Sequence, residues 1–385
     1  MTDFLLTADQ LRAREGVKWR RHPADVLPAF VADMDFAVSP AIRESLERLV
    51  ERDDTGYGPM EDEQRLGDAF TSRMRDRYGW EVDPELVMST IDVVQGIVAA
   101  IVALTEPGDG IVVQTPVYPP FLTAVTGANR RLIENPLVDD GARFVVNAEG
   151  LRAAVDSGTK MILLCNPHNP SGRVFTRTEL EASAAVAMER DLVIVSDEIH
   201  SELLYPGMRH IPIASLGPDV AARTVTLTSA TKAFNIAGLR CAVAALGSPQ
   251  LRDRFRRAIP DHLLGRPNRF GVEATIAAWA HGDEWLESVL GYLDRNRRRV
   301  AEVAGGIDGL VHHPPEGTYL AWLDCTRLEL PAASPFQFFL ERAKVALADG
   351  TDFGPPGRGC VRLNFATSAE ILEQILDRML GALRS

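Results

Sequence analysis

Ser229-Ala230-Thr231-Lys232-Ala233-Phe234-Asn235-Ile236-Ala237-Gly238-Leu239-Arg240 is the stretch on which the reading of this 385-residue sequence turns. It follows the run Thr224 to Thr228, whose alternating β-branched residues read as a buried strand. A lysine just after such a strand, among small hydroxyl residues, is out of place as a solvated surface charge. In a pocket its amine loses hydration, its pKa falls, and it becomes a nucleophile toward an aldehyde. Ser229 and Arg240 flank it with a hydroxyl and a guanidinium, a pairing that suits a phosphate dianion. An isolated Ser-x-x-Lys carries little weight, so the surrounding chain has to support it.

Working outward, short apolar runs recur at Gly110 to Gln114, Lys160 to Cys165, Leu192 to Ser196 and Cys241 to Leu246. Helical patterns separate them, at Glu63 to Tyr78, Val93 to Leu104 and Arg177 to Glu189. Strands without polar alternation are buried on both faces, so the expectation is an α/β fold with a parallel or mixed sheet flanked by helices. From about Glu284 the pattern changes to a long charged helix (Trp285 to Val303), strand-like segments Tyr319 to Leu323 and Cys360 to Asn364, and a last helix Ala369 to Leu383. The expected division is an N-terminal segment, 1–45, joining a smaller domain, 284–385, beside a large domain, 46–283.

Three further segments follow predicted strands and carry chemistry. Ser196-Asp197-Glu198-Ile199-His200 places a carboxylate where open α/β sheets bind ligands, and an aspartate there can hold a pyridine nitrogen protonated. Read alone, Asp197 would simply cap the next helix. In Cys165-Asn166-Pro167-His168-Asn169-Pro170-Ser171-Gly172 two Asn-Pro steps stiffen a loop, so that an amide can be aimed at a ligand oxygen; a plain tight turn is the simpler reading. Gln114-Thr115-Pro116-Val117-Tyr118-Pro119-Pro120-Phe121 offers Tyr118 for stacking on an aromatic ring, although a lone tyrosine there would more often be core.

Composition narrows the partner. A net charge of −12 works against a basic nucleic-acid groove, which leaves a small molecule. Apolar runs such as Ile97 to Leu104 fall well short of the ~20 residues a membrane helix needs, and the acids Asp3 and Asp9 spoil a signal peptide. The expected location is cytoplasmic. Cys165, Cys241, Cys325 and Cys360 are widely spaced, with no Cys-x-x-Cys pair, so reduced thiols are expected, with neither a disulfide nor a metal site.

Together, in this order, the four segments resemble fold type I pyridoxal-phosphate enzymes of the class I/II aminotransferase family over essentially the whole chain. Within it the sequence is most similar to the cystathionine β-lyase (MalY/PatB) branch. The residues concerned are Lys18-Trp19, Val31-Ala32-Asp33-Met34-Asp35-Phe36, Asp197-Glu198-Ile199-His200, Phe234-Asn235-Ile236-Ala237-Gly238-Leu239 and Thr318-Tyr319-Leu320-Ala321-Trp322. The resemblance implies a large domain with a mostly parallel seven-stranded sheet and a smaller α+β domain. It makes Lys232 the Schiff-base lysine for pyridoxal 5'-phosphate, Asp197 the partner of the pyridine nitrogen, Asn169 the donor to the ring's phenolic oxygen, and Tyr118 the stacking ring. His200 joins the cofactor residues. Ser229, Arg240, the amides of Val93 and Val94, and Tyr57 from a second subunit would hold the phosphate. Arg362 would clamp the α-carboxylate of an amino-acid substrate, with Ala32, Asn169 and Tyr118 beside it. A homodimer with shared sites is implied.

The implied reaction is α,β-elimination from cystathionine or another S-substituted L-cysteine, giving a thiol, pyruvate and ammonia. The rival on the same residues is amino transfer, and a specialised variant would act on a cysteine S-conjugate in small-molecule biosynthesis. From a different class, a non-catalytic regulator could keep the fold for ligand sensing, but the intact Lys232, Asp197 and Arg362 argue against it. Three departures bear on the pocket. Asp92 stands where the branch has glycine in the phosphate turn, Phe30 where tryptophan is common, and Gly317 where alanine is usual.

Overall fold

The computed structural model describes residues 4–59, 61–260 and 264–384. Its centre is a seven-stranded sheet, whose strands we number β1 (Val87–Thr90), β2 (Gly110–Val113), β3 (Arg131–Glu134), β4 (Thr159–Cys165), β5 (Val193–Asp197), β6 (Thr224–Thr228) and β7 (Ala242–Leu246). Their order is β1-β7-β6-β5-β4-β2-β3. The sheet is mixed: β7 runs antiparallel to both its neighbours, β1 and β6, and the other pairings are parallel.

Alternation along the strands explains why the apolar runs are unbroken. Ile111 and Val113 of β2 enter a core with Met161, Leu163 and Cys165 of β4, while Val112, Ile162 and Leu164 enter another. Successive side chains point to opposite faces of a sheet, so a strand covered on both sides must be apolar at every position. The helix Val93–Leu104 covers the first face through Ile97, Ala100 and Ile101. The helix Arg177–Glu189 covers the second through Leu180, Ala184 and Ala187.

A second, three-stranded antiparallel sheet is built from β8 (Leu320–Asp324), β9 (Ala348–Asp349) and β10 (Cys360–Asn364), in the order β8-β10-β9. The N-terminal segment packs against this region. Leu27–Pro28 pairs parallel with Val345–Ala346, and the Asn364 side-chain amide donates to the carbonyls of Val31 and Asp33. Within that segment the buried Lys18 ammonium pairs with Asp35 at 2.8 Å and donates to the Asp33 carbonyl, and the Trp19 ring nitrogen donates to Asp35. Two charges taken out of water are stable only when paired in this way. The consequence is a rigid run from Val31 to Phe36, laid against the loop that carries Lys232.

No helix among the described residues is long and apolar enough to cross a membrane. The four cysteines are free and buried.

Candidate active site

Four chemistry-bearing segments leave the sheet at the carboxyl ends of its parallel strands, where such folds open a crevice. Strand β4 ends at Cys165 beside Asp197, the last residue of β5, and the Asn166 amide donates to the Asp197 carbonyl. Strand β6 ends at Thr228, four residues before Lys232. Strand β2 ends five residues before Tyr118. Together they line a cavity of about 500 Å³ whose wall includes Lys232, Asp197, Asn169, Tyr118, His200 and Arg362. A cleft of similar volume, about 530 Å³, lies along residues 306–308, 328–331 and the C-terminal helix and brings together none of these groups.

The Lys232 amine donates to the Ala32 carbonyl at 2.7 Å, and the Tyr319 hydroxyl donates to the same oxygen at 2.8 Å. Asn235, in a left-handed conformation that asparagine tolerates, fastens the lysine loop to the N-terminal segment. Its side chain accepts from the Met34 amide and donates to the carbonyls of Met34 and Phe36. Burial lowers the pKa of Lys232; Asp33 and Asp197 oppose the shift and Arg362 adds to it. Tyr319 and Asp33 were not singled out from the sequence as site residues. Their only signal was their place in the Thr318 to Trp322 and Val31 to Phe36 motifs.

Asp197 accepts the Ile199 amide at 3.0 Å, and burial pushes its carboxyl up to about 7. Next to it His200 is neutral at ordinary pH, because burial, Lys232 and Arg362 hold its pKa down to about 3. Arg362 donates to the Asn169 side-chain oxygen at 2.8 Å and to the Phe30 carbonyl at 2.9 Å, and its guanidinium lies 4.9 Å from the centre of the Phe353 ring. Burial lowers its pKa to about 10, so it remains a cation at neutral pH. With the Asn169 oxygen taken by Arg362, the Asn169 amide nitrogen is the donor left for a ligand.

The phosphate candidates are arranged less simply than the sequence suggested. Val93 and Val94 open the helix Val93–Leu104 and line the cavity. Asp92 caps that helix, accepting the Gln95 amide at 2.7 Å, and its other oxygen is bonded to Arg240. The anionic Asp92 beside the phosphate turn is therefore neutralised locally, and Arg240 already carries one counter-charge. Ser229 sits beside the wall. Its hydroxyl donates to the Cys241 carbonyl at 2.5 Å and lies 2.9 Å from the Thr231 hydroxyl, and it is Thr231 that lines the cavity. A hydroxyl has one proton to give, and Ser229 has given it. Tyr57 is fully exposed and lies in a separate depression with Arg266 and Asn268. Gly317 is accounted for by packing, since an added Cβ would stand 2.8 Å from the Leu203 carbonyl oxygen.

Two buried polar atoms on the wall, His200 Nδ1 and Arg362 Nε, have no hydrogen-bond partner among the described residues. Leaving such atoms unmet costs about 1–3 kcal/mol each, so they fit a polar ligand. A lowered lysine, a buried aspartate, a tyrosine ring and a helix N-terminus suit one molecule carrying an aldehyde, an aromatic ring nitrogen and an anion. Among the described residues no three His, Cys, Asp or Glu side chains converge as metal ligands.

The family model described as "Aminotransferase class I and II" matches residues 31–379. The chain belongs to this family. Among curated relatives of this family member, the cystathionine beta-lyase PatB of Bacillus subtilis is 37% identical, covering 96% of this chain and 97% of the relative. Among solved structures, OvoB superposes with a TM-score of 0.93 at 36% identity, covering 100% of this chain and 99% of the other. Cystalysin from Treponema denticola, described as containing a pyridoxal 5'-phosphate cofactor, gives 0.92 at 29% identity, with the same coverage. The fold expected from the sequence, the fold type I architecture with its mostly parallel sheet, agrees with these superpositions and with the strand order above.

Proposed function

We propose that this protein is a pyridoxal 5'-phosphate-dependent carbon–sulfur lyase, performing α,β-elimination on cystathionine or another S-substituted L-cysteine and releasing a thiol, pyruvate and ammonia. The observation that carries the reading is the convergence of Lys232, Asp197, Asn169 and Arg362 on one cavity. The name borne by PatB supports the lyase over the transferase reading. When bound, pyridoxal phosphate supplies an electron sink for negative charge at the substrate Cα.

The residues divide the remaining work. Lys232 would hold the cofactor covalently, and its Nζ, whose pKa burial lowers, would be the base for the Cα proton. Asp197 would sit against the pyridine nitrogen and hold a proton there. Arg362 would bind the α-carboxylate and so fix which Cα bond stands ready to break, while the Tyr118 ring covers the cofactor. The Val93 and Val94 amides and Arg240 would take the phosphate. The deciding measurement is product formation with and without 2-oxoglutarate. Thiol and pyruvate in equal amounts, without any keto acid, is the expected result. Strict dependence on a keto acid, with a new amino acid and no thiol, would overturn it in favour of amino transfer.

A cytoplasmic location and a homodimer with shared sites are part of this proposal, and the fully exposed Tyr57 ring supports the shared site. Mixing impaired Tyr57→Phe subunits with Lys232→Ala subunits gives heterodimers holding one unmutated and one doubly mutated site. Random pairing of equal amounts leaves roughly a quarter of all sites intact, so activity should rise to about that level. No recovery on mixing, although subunits exchange, would mean that each site is built by one chain.

A further inference from the structure

The geometry points to Arg21 as the residue that selects the far end of the substrate: it would recognise an anionic group on the sulfur substituent, distinct from the α-carboxylate. This rests on the lyase reading above. Six acidic or basic side chains line the cavity: Arg21, Asp92, Asp197, Lys232, Arg240 and Arg362. Asp92 and Arg240 neutralise each other. Lys232 and Asp197 have their tasks at the cofactor, and Arg362 has the α-carboxylate. Arg21 alone is left over, with no carboxylate at ion-pair distance among the described residues.

Its place is fixed through Phe30. The Arg21 guanidinium lies 5.5 Å from the centre of the Phe30 ring, while the Phe30 carbonyl accepts from Arg362. One residue thus carries a buried guanidinium on its backbone and an exposed one on its ring. A substrate whose α-carboxylate meets Arg362 would extend its tail outward past Phe30 toward Arg21. His22 packs edge-on to the same ring at 5.3 Å, and its pKa is lowered by burial and by Arg21 itself, so it adds no competing charge at neutral pH. The exposed Val17 completes this part of the wall with apolar surface. The preferred tail therefore has a short apolar stem and a terminal carboxylate or similar oxyanion, which a planar guanidinium binds through two parallel hydrogen bonds.

The test compares S-(2-carboxyethyl)-L-cysteine with S-propyl-L-cysteine on the holoenzyme. The wild type should favour the carboxylate about fivefold in kcat/KM, equivalent to about 1 kcal/mol for a partly exposed pair. Arg21→Met, which keeps an unbranched stem over Phe30, should bring the ratio close to one, and Arg21→Lys should restore part of it. Added salt should shrink the wild-type ratio and leave that of Arg21→Met unmoved. A wild type without preference, or a preference that survives Arg21→Met, overturns the assignment. If neither compound yields thiol, the lyase reading itself fails. The same two amino acids, titrated as ligands through the cofactor's visible spectrum, then judge Arg21 by the ratio of their Kd values.

Discussion

Lys232→Ala is expected to abolish thiol release, lowering turnover by roughly ten-thousandfold or more, because one side chain supplies both the covalent hold on the cofactor and the base at Cα. The effect should exceed that of any other single substitution in the cavity. Lys160, the next lysine along the chain toward the N-terminus, is exposed on β4 and donates only to the Ser157 carbonyl. Lys18 is committed to Asp35. Lys232 is the lysine that lines the cavity, and its amine is held by a single carbonyl, that of Ala32. Borohydride treatment of the wild-type holoenzyme should therefore fix the cofactor on a peptide containing Lys232, and the visible absorbance of the holoenzyme should be missing from Lys232→Ala. Label recovered on Lys160 or Lys18, or substantial thiol release by the variant, would remove Lys232 from the mechanism.

Asp197→Asn should cost about a hundredfold in turnover, close to 3 kcal/mol of barrier, while the variant still binds cofactor. An amide keeps the size of the carboxylate but cannot hold a charge against a protonated pyridine nitrogen. The same substitution has a second readout in the cofactor-free protein. There burial pushes the Asp197 carboxyl from an ordinary 3.8 up to about 7. Between those values the folded chain binds a proton that the unfolded chain has released, so stability falls as pH rises. The contribution is fully present below about pH 4 and lost as pH passes through about 7. Urea unfolding of the cofactor-free protein across this window should show the decline in the wild type and a shallower one in Asp197→Asn. Equal slopes would mean that Asp197 is ionised throughout, and near-normal turnover in the variant would remove it from catalysis.

Much of the fold was legible because burial on both faces of the sheet writes itself into local sequence. Helix Val93–Leu104 and strands Thr224–Thr228 and Cys360–Asn364 have the limits read from the sequence. Strands β1 and β3 escaped notice for a physical reason. β1 mixes Val87 and Met88 with Ser89 and Thr90, and β3 is an edge strand with Arg131 and Glu134 at its ends, so neither shows an unbroken apolar run. That β7 runs antiparallel was equally hidden, since a strand buried among apolar neighbours has the same composition in either direction.

The sequence by itself determined which chemistry is present and where along the chain it leaves the sheet: Asp197 at the end of one strand, and Tyr118, Asn169 and Lys232 a few residues beyond the ends of three others. Strand ends are local features, and the residues that follow them are read directly. Only the tertiary structure decided which partners those groups keep. Asp92 meets Arg240 across 148 residues, Lys232 meets the Ala32 carbonyl across 200, and Arg362 meets Asn169 across 193. Whether a charge is neutralised, a hydroxyl already committed as at Ser229, or a guanidinium left over as at Arg21 depends on such distant encounters. Hydrogen bonds and ion pairs act over a few ångströms of space, and no periodicity or propensity of neighbouring residues records which distant segment will arrive there.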